Sequence, residues 1–95
     1  MARYRIEVSE EAAAELAELR AFDQRRIVQA IRELANQADV RTRNRRPLRE
    51  PVGELPRVTW QVRVDKHRIF YEIRDEGTVR VLRVIIKRGT TEESL

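Results

Sequence analysis

Three arginines in the second half of the chain, Arg63, Arg68 and Arg88, have side chains suited to phosphate chemistry. A guanidinium group is planar, keeps its charge at any working pH, and can donate two parallel hydrogen bonds to one phosphate. When a ribose 2′-hydroxyl attacks the adjacent phosphate, negative charge builds up on the phosphoryl oxygens, and preorganised cations stabilise that charge. We therefore predict that these three arginines are catalytic.

An arginine does not normally give up its proton, so such a site needs another group to transfer protons. His67 is the only histidine of the chain and is the candidate acid–base residue, because imidazole groups titrate near neutral pH. The alternative is a solvated histidine in a turn, with the charged residues Lys66 and Arg68 on either side.

Residues 39–56 break the hydrophobic periodicity and are predicted to form a loop. The segment combines Pro47, Pro51 and Pro56 with a cluster of arginines, which are Arg41, Arg43, Arg45, Arg46 and Arg49. It is either a solvated connector or a rim that contacts phosphates. The residues predicted to bind RNA phosphates are Arg45 and Arg46 of this segment, together with Lys66 and Lys87 from outside it.

The stretch from Trp60 to Arg88 predicts the strands that would carry these residues. Side chains alternate in two runs separated by a short polar turn, which favours antiparallel hairpins. Residues 79–86 are apolar on both faces, which indicates a central or bulged strand. The same alternation predicts that Trp60 and Tyr71 are core residues, and Glu72 is expected to form a cross-strand ion pair.

The first half of the chain predicts one strand and two helices. Residues 3–8 alternate as a strand, Ser9 is a candidate helix N-cap, and Asp23 is a second one. Phe22 is expected to pack at the corner between the helices. The second helix has a clear apolar stripe, made of Ile27, Ile31, Leu34 and Ala38. We predict an α+β domain over residues 1–95, with two antiparallel helices on a mostly antiparallel four-stranded sheet in the order β-α-α-β-β-β.

Composition narrows the classes of function. The 95 residues contain no cysteine and one histidine, so we expect no disulfide, no metal site and no cofactor. No run approaches the roughly 18 apolar residues that span a bilayer, so we expect no membrane partner and a cytoplasmic location. The net charge of +4 is compatible with a polyanionic partner.

The order of elements and two basic motifs resemble the RelE/ParE toxin superfamily. The motifs are Trp60-Gln-Val-Arg63-Val-Asp-Lys-His-Arg68-Ile-Phe-Tyr71 and Leu82-Arg-Val-Ile-Ile-Lys87-Arg88. The resemblance implies a toxin of a type II toxin–antitoxin pair, neutralised by a cognate antitoxin that covers its basic surface. Operator DNA would be bound only through the antitoxin complex.

Two activities occur in this superfamily, and the resemblance leaves both open. RelE-like members cleave messenger RNA in the ribosomal A site, and ParE-like members poison DNA gyrase. We favour the RelE-like activity, with the ribosome and mRNA as partners, because Arg63, Arg68 and Arg88 fall at the basic positions of that pattern. The chain has no aromatic residue after Arg88, where RelE has a tyrosine. A weakly toxic protein that binds the antitoxin and acts as a corepressor is the third alternative.

Overall fold

The computed structural model describes residues 3–48, 59–74 and 77–86. These residues form one sheet and two helices, as follows: β1 (Arg5–Val8), α1 (Glu10–Ala17), α2 (Ala21–Gln37), β2 (Arg45–Pro47), β3 (Trp60–Val64), β4 (His67–Arg74) and β5 (Thr78–Ile86). The strand order in the sheet is β1-β5-β4-β3-β2, and only β1 and β5 pair in parallel. The predicted α+β fold is confirmed, with five strands in place of four.

The additional strand, β2, lies inside the segment predicted to be a loop. Its three residues pair antiparallel with β3, so that Arg46 lies opposite Gln61 and Pro47 opposite Trp60. A proline at the end of an edge strand removes no hydrogen bond from the sheet, so Pro47 is tolerated there. The strand went unpredicted because no apolar residue in it marks a buried face. Residues 49–56 of the predicted loop lie outside the described residues.

The start of α1 agrees with the prediction, whereas the start of α2 does not. The Ser9 hydroxyl oxygen accepts a hydrogen bond of 3.0 Å from the main-chain N–H of Ala12, so Ser9 is the N-cap. The prediction of Asp23 as the second N-cap is wrong, because α2 begins at Ala21 after Arg20. Asp23 lies in the first turn instead, where a carboxylate interacts favourably with the helix dipole.

The core lies between the helices and one face of the sheet. The predicted stripe of α2 is buried there, with Ile27, Leu34 and Ala38 fully excluded from solvent. Tyr71 is also fully buried, and the half-buried Trp60 ring stacks on it at 6.1 Å between centroids. The prediction that Phe22 packs at the corner is wrong. Its side chain is 59% exposed.

The position of β5 in the sheet agrees with its predicted central, bulged character. It lies between β1 and β4, and its pairing with β4 shifts at Phe70 and Tyr71, which pair with Arg83 and Val81. Leu82 is therefore the extra residue of a bulge. No helix in the described part of the chain is long and apolar enough to cross a membrane.

Beyond Val81, β5 has no neighbouring residue of β1, and side chains of the α1 region take over its hydrogen bonds. The Ser9 hydroxyl donates to the main-chain oxygen of Leu82 at 2.8 Å. One carboxylate oxygen of Glu15 accepts the main-chain N–H of Val84 at 2.8 Å, and the other accepts from the Arg83 guanidinium. These contacts satisfy main-chain groups that would otherwise form an open sheet edge.

Candidate functional site

The face of the sheet that points away from the helices carries a group of arginines. Because side chains alternate along a strand, Arg63 on β3 and Arg68 on β4 point to this face, and the register places them directly opposite each other. Arg46 on β2 shares the same face. Together with residues of the turn before β2 they line an open cavity of about 400 Å³. We call this cavity the arginine groove, and its lining residues are Arg43, Asn44, Arg46, Gln61, Arg63 and Arg68.

Main-chain contacts hold the guanidinium of Arg68 in place. Its Nη1 donates hydrogen bonds of 3.1 Å to the main-chain oxygens of Asp65 and of His67. Partial burial, together with the neighbouring charge of Arg63, lowers the pKa of Arg68 from its ordinary value. A guanidinium keeps its proton even so, and the two cations therefore repel each other until an anion lies between them.

Carboxylates neutralise many of the other arginines but not those of the groove. Within residues 3–48, 59–74 and 77–86, no carboxylate pairs with Arg43, Arg46, Arg63 or Arg68. The arginines that do have carboxylate partners are Arg3, Arg20, Arg26, Arg45, Arg74, Arg80 and Arg83. Among the described residues, no carboxylate therefore balances the positive charge of the groove, as an anion-binding surface requires.

The structure brings Arg63, Arg68 and Arg46 of the predicted site together. Lys66, by contrast, is exposed in the turn between β3 and β4 and lines a different cavity. Lys87 and Arg88 lie outside the described residues.

The prediction that Arg45 contacts phosphate is at odds with its position, because its side chain points toward the helices. Arg45 lies opposite Val62 in the register and is only 6% exposed. Its Nη1 donates to the main-chain oxygens of Gln37, the last residue of α2, at 3.1 Å and of Val40, just beyond the helix, at 3.2 Å. The Glu33 carboxylate lies 3.9 Å from its Nη2.

His67 lies on the helix side of the sheet, away from the arginine groove. It is the first residue of β4, is 6% exposed, and pairs with Val64 and Ile86. Since its neighbour Arg68 points to the opposite face, the imidazole does not face a phosphate held by Arg63 and Arg68. The alternative of a solvated turn histidine is wrong, because the side chain is buried. Glu72 pairs with Arg74 of its own strand at 3.3 Å, in place of the expected cross-strand ion pair.

Three residues of the groove were not predicted as site residues. Gln61 alternates with Arg63 along the same strand, and this spacing was the available signal. Arg43 and Asn44 could be placed only with the register of β2, which the sequence does not show. The groove lining contains arginine and amide side chains, and the described lining holds no carboxylate, imidazole or amine.

Comparisons with known protein families and solved structures match this chain to toxins of toxin–antitoxin systems. The family model described as "ParE toxin of type II toxin-antitoxin system, parDE" matches residues 6–89. The chain is similar to the toxin–antitoxin complex RelBE2 of Mycobacterium tuberculosis, with 31% identity, a TM-score of 0.58, and coverage of 90% of this chain and 99% of that chain.

Two further structures share the fold. The archaeal RelE–RelB complex of Pyrococcus horikoshii OT3 has a TM-score of 0.74 at 18% identity, covering 93% of this chain and 99% of that chain. The isolated E. coli RelE toxin has a TM-score of 0.65 at 16% identity, covering 93% and 88%. A search of curated protein sequences gives no match.

Proposed function

We propose a function from the premise that the chain belongs to the ParE toxin family of type II toxin–antitoxin systems, whose family model matches residues 6–89. We propose that this toxin is a ribosome-dependent mRNA endoribonuclease that inhibits translation. In this proposal the arginine groove holds the phosphate next to the bond that is cut.

The observation that carries this proposal is the direct cross-strand pairing of Arg63 and Arg68 without a carboxylate partner among the described residues. Two guanidinium groups on adjacent strands can contact two oxygens of one phosphate. They therefore stabilise the charge that develops when the phosphate becomes pentacoordinate, and one such preorganised donor commonly contributes about 3 kcal/mol.

The bond changes of the proposed reaction balance without a cofactor. The ribose 2′-oxygen forms a bond to phosphorus while the bond from phosphorus to the 5′-oxygen breaks. The products are a 2′,3′-cyclic phosphate and a free 5′-hydroxyl. The 2′-hydroxyl proton goes to a water or hydroxide, and water returns a proton to the leaving oxygen. Arg63 and Arg68 act as fixed cations throughout.

An open groove of this kind provides charge but little enclosure. In this proposal the groove contacts the backbone of a single-stranded RNA without enclosing it. A second macromolecule therefore has to hold the mRNA in the geometry for in-line attack. The ribosome serves this role in the proposal, which accounts for a dependence on ribosomes.

We further propose that a cognate antitoxin neutralises the protein by covering the arginine groove with acidic side chains. The relatives from Mycobacterium tuberculosis and Pyrococcus horikoshii are toxin–antitoxin complexes, which supports an antitoxin partner for this chain. Operator DNA would then be contacted through the antitoxin.

Inhibition of DNA gyrase without hydrolysis is the second candidate function. Two observations favour it: the matched family is that of the ParE toxins, and the described groove lining lacks a side chain that transfers protons readily. In this case the same arginines would bind an acidic protein surface or DNA phosphates.

A primer-extension assay on a translated message, with purified ribosomes, separates these functions. We expect cuts within codons held in the A site for the wild-type protein, and a loss of at least about 100-fold for Arg68→Ala. Arg32→Ala, a change at an exposed residue of α2, is the matched control and keeps full activity. Absence of cuts from folded protein, together with inhibition of gyrase supercoiling, would establish the second function.

A further inference from the structure

The side chains of the arginine groove form two rows across the sheet. In the first row Arg63 lies opposite Arg68, and in the second row Arg46 lies opposite Gln61. The rows are two residues apart along β3, which corresponds to about 6.8 Å. The diagonal between Arg46 and Arg63 is about 7–8 Å. Consecutive phosphates of an extended RNA strand have a similar separation, so each row can hold one phosphate.

Gln61 is the uncharged member of these rows. It is the direct cross-strand neighbour of Arg46, and it precedes Arg63 by two residues on the same strand. The main chain of β3 is paired on both sides at this position, with Arg46 on β2 and with Phe70 on β4. The base of the side chain is therefore held in place between the two positions suited to phosphates.

The amide of Gln61 is open to a ligand. Its side chain is half-buried and lines the groove, and no hydrogen bond joins its amide to another of the described residues. An amide presents one oxygen that accepts hydrogen bonds and an NH₂ group that donates two. A ligand group in the groove can therefore replace the water that would otherwise bind there.

The part of a nucleic acid that lies between two consecutive phosphates is a sugar. In RNA this sugar carries a 2′-hydroxyl, which both donates and accepts hydrogen bonds and distinguishes RNA from DNA. The amide of Gln61 can pair with the hydroxyl in either direction, whereas a guanidinium only donates. An arginine at this position would also attract the phosphates of RNA and DNA alike.

The composition of the groove favours contacts with the backbone over contacts with the bases. Proteins that bind single strands through their bases use aromatic side chains on which the bases stack. The described lining of the groove contains arginine and amide side chains and no aromatic residue. A sugar contact is therefore the way in which this surface can discriminate between two kinds of strand.

We propose that Gln61 recognises the ribose 2′-hydroxyl and makes the arginine groove selective for RNA over DNA, a role that rests on the proposed binding of mRNA in the groove. One phosphate lies between Arg63 and Arg68, and its neighbour along the strand lies on Arg46. The 2′-hydroxyl of the sugar between them donates to Oε1 of Gln61. Gln61 is thus a specificity-determining residue, and its uncharged amide adds nothing to the salt dependence of binding.

Two oligonucleotides of equal length test this proposal, oligouridine and oligo-2′-deoxyuridine. They have the same bases and the same charge, and they differ only in the 2′-hydroxyl. Fluorescence anisotropy with the full-length protein, at about 50 mM salt, gives both affinities. We expect the wild type to bind oligouridine about five- to tenfold more tightly, as one additional hydrogen bond provides.

Three variants separate the sugar contact from the phosphate contacts. Gln61→Met keeps the length of the side chain and removes the amide, so its affinity for oligouridine should fall to that for oligo-2′-deoxyuridine, which stays unchanged. Gln29→Met is the same substitution at an exposed residue of α2 and should keep the wild-type preference. Arg46→Ala should weaken binding of both oligonucleotides by the same factor, because phosphate is common to both.

The inference is overturned if the wild type binds the two oligonucleotides equally, if it binds neither saturably, or if Gln61→Met keeps the preference for RNA. The measurement needs no ribosomes, so it is independent of the cleavage assay. A preference for RNA that depends on Gln61, in a protein that makes no cuts on ribosomes, would refute the nuclease and leave the sugar contact established. Cleavage by a protein without this preference would refute the role of Gln61 alone.

Discussion

The phenol of Tyr71 donates a hydrogen bond of 2.7 Å to the main-chain oxygen of Ala38, which joins the middle of β4 to the residue that ends α2. Tyr71 is fully buried, and this burial raises the pKa of its phenol well above the ordinary value. The folded state therefore favours the neutral phenol. The associated stability is complete below the unfolded-state pKa of about 10, and it is lost as the pH rises from there toward the folded-state pKa.

Tyr71→Phe should remove this alkaline sensitivity. At pH 7 we expect the variant to be less stable by about 1–2 kcal/mol, because the buried carbonyl of Ala38 loses its donor. Between pH 9 and 11 its free energy of unfolding in urea should fall less than that of the wild type. Tyr4→Phe, which removes the other phenol of the chain, is the control variant. Parallel curves for Tyr71→Phe and wild type would contradict the prediction.

Arg45 and Arg46 are adjacent arginines for which we predict opposite effects. Arg45→Ala should lower the free energy of unfolding by about 2–4 kcal/mol, since it removes a buried side chain and the hydrogen bonds that this side chain donates to the carbonyls of Gln37 and Val40. Arg46→Ala, on the exposed groove side, should change stability by less than about 0.5 kcal/mol. Urea denaturation of both variants tests this, and equal losses of stability would show that the two side chains are equivalent.

Binding of single-stranded RNA to the arginine groove should depend steeply on salt. Each phosphate contact contributes a slope of about −0.7 to a plot of log affinity against log salt. We expect Arg46→Ala or Arg63→Ala to reduce the magnitude of the slope by about 0.7 each. Fluorescence anisotropy between about 50 and 200 mM salt measures it. Arg32→Ala is the control with an unchanged slope, and an unchanged slope in all three variants would place the RNA elsewhere.

The pH dependence of the proposed cleavage tests whether His67 takes part in proton transfer. Because the imidazole lies on the helix side of the sheet, we expect His67→Gln to show the same dependence of cleavage rate on pH as the wild type. Single-turnover rates between about pH 5 and 8, where histidines titrate, cover the range that matters. Circular dichroism checks that the variant is folded. If an inflection of the wild-type profile disappears in the variant, His67 takes part in proton transfer.

The carboxylate of Glu15 covers the part of β5 beyond Val81, which has no partner in β1, and we expect it to stabilise that part of the strand. Glu15→Ala removes the acceptor of the Val84 N–H, and we expect a loss of about 1–2 kcal/mol in the free energy of unfolding. It also uncovers main-chain groups that can pair with another molecule, so the variant should associate at high concentration. Sedimentation velocity measures this association. Glu18→Ala, one turn away and exposed, is the control.

The elements and the faces of their side chains could be predicted from the sequence wherever it contains a periodic apolar pattern. The stripe of Ile27, Ile31 and Leu34 defined α2, and the alternation around Arg63 and Arg68 placed both arginines on one face. The positions of Arg45 and His67 depended on register, and a shift of one residue moves a side chain to the opposite face of a sheet. β2 contains only arginine and proline, so no apolar residue indicated which side of it was buried.

The parallel pairing of β1 with β5 also affects when the protein can fold. Arg5 pairs with Thr78, 73 residues later, so β1 has to wait for β5 to be synthesised before it can join the sheet. β5 also pairs with β4, the strand that carries Arg68. Long-range pairings of this kind form late, after nearby helices and hairpins. The arginine groove is therefore completed only once most of the chain has been translated, so a nascent chain does not yet present it.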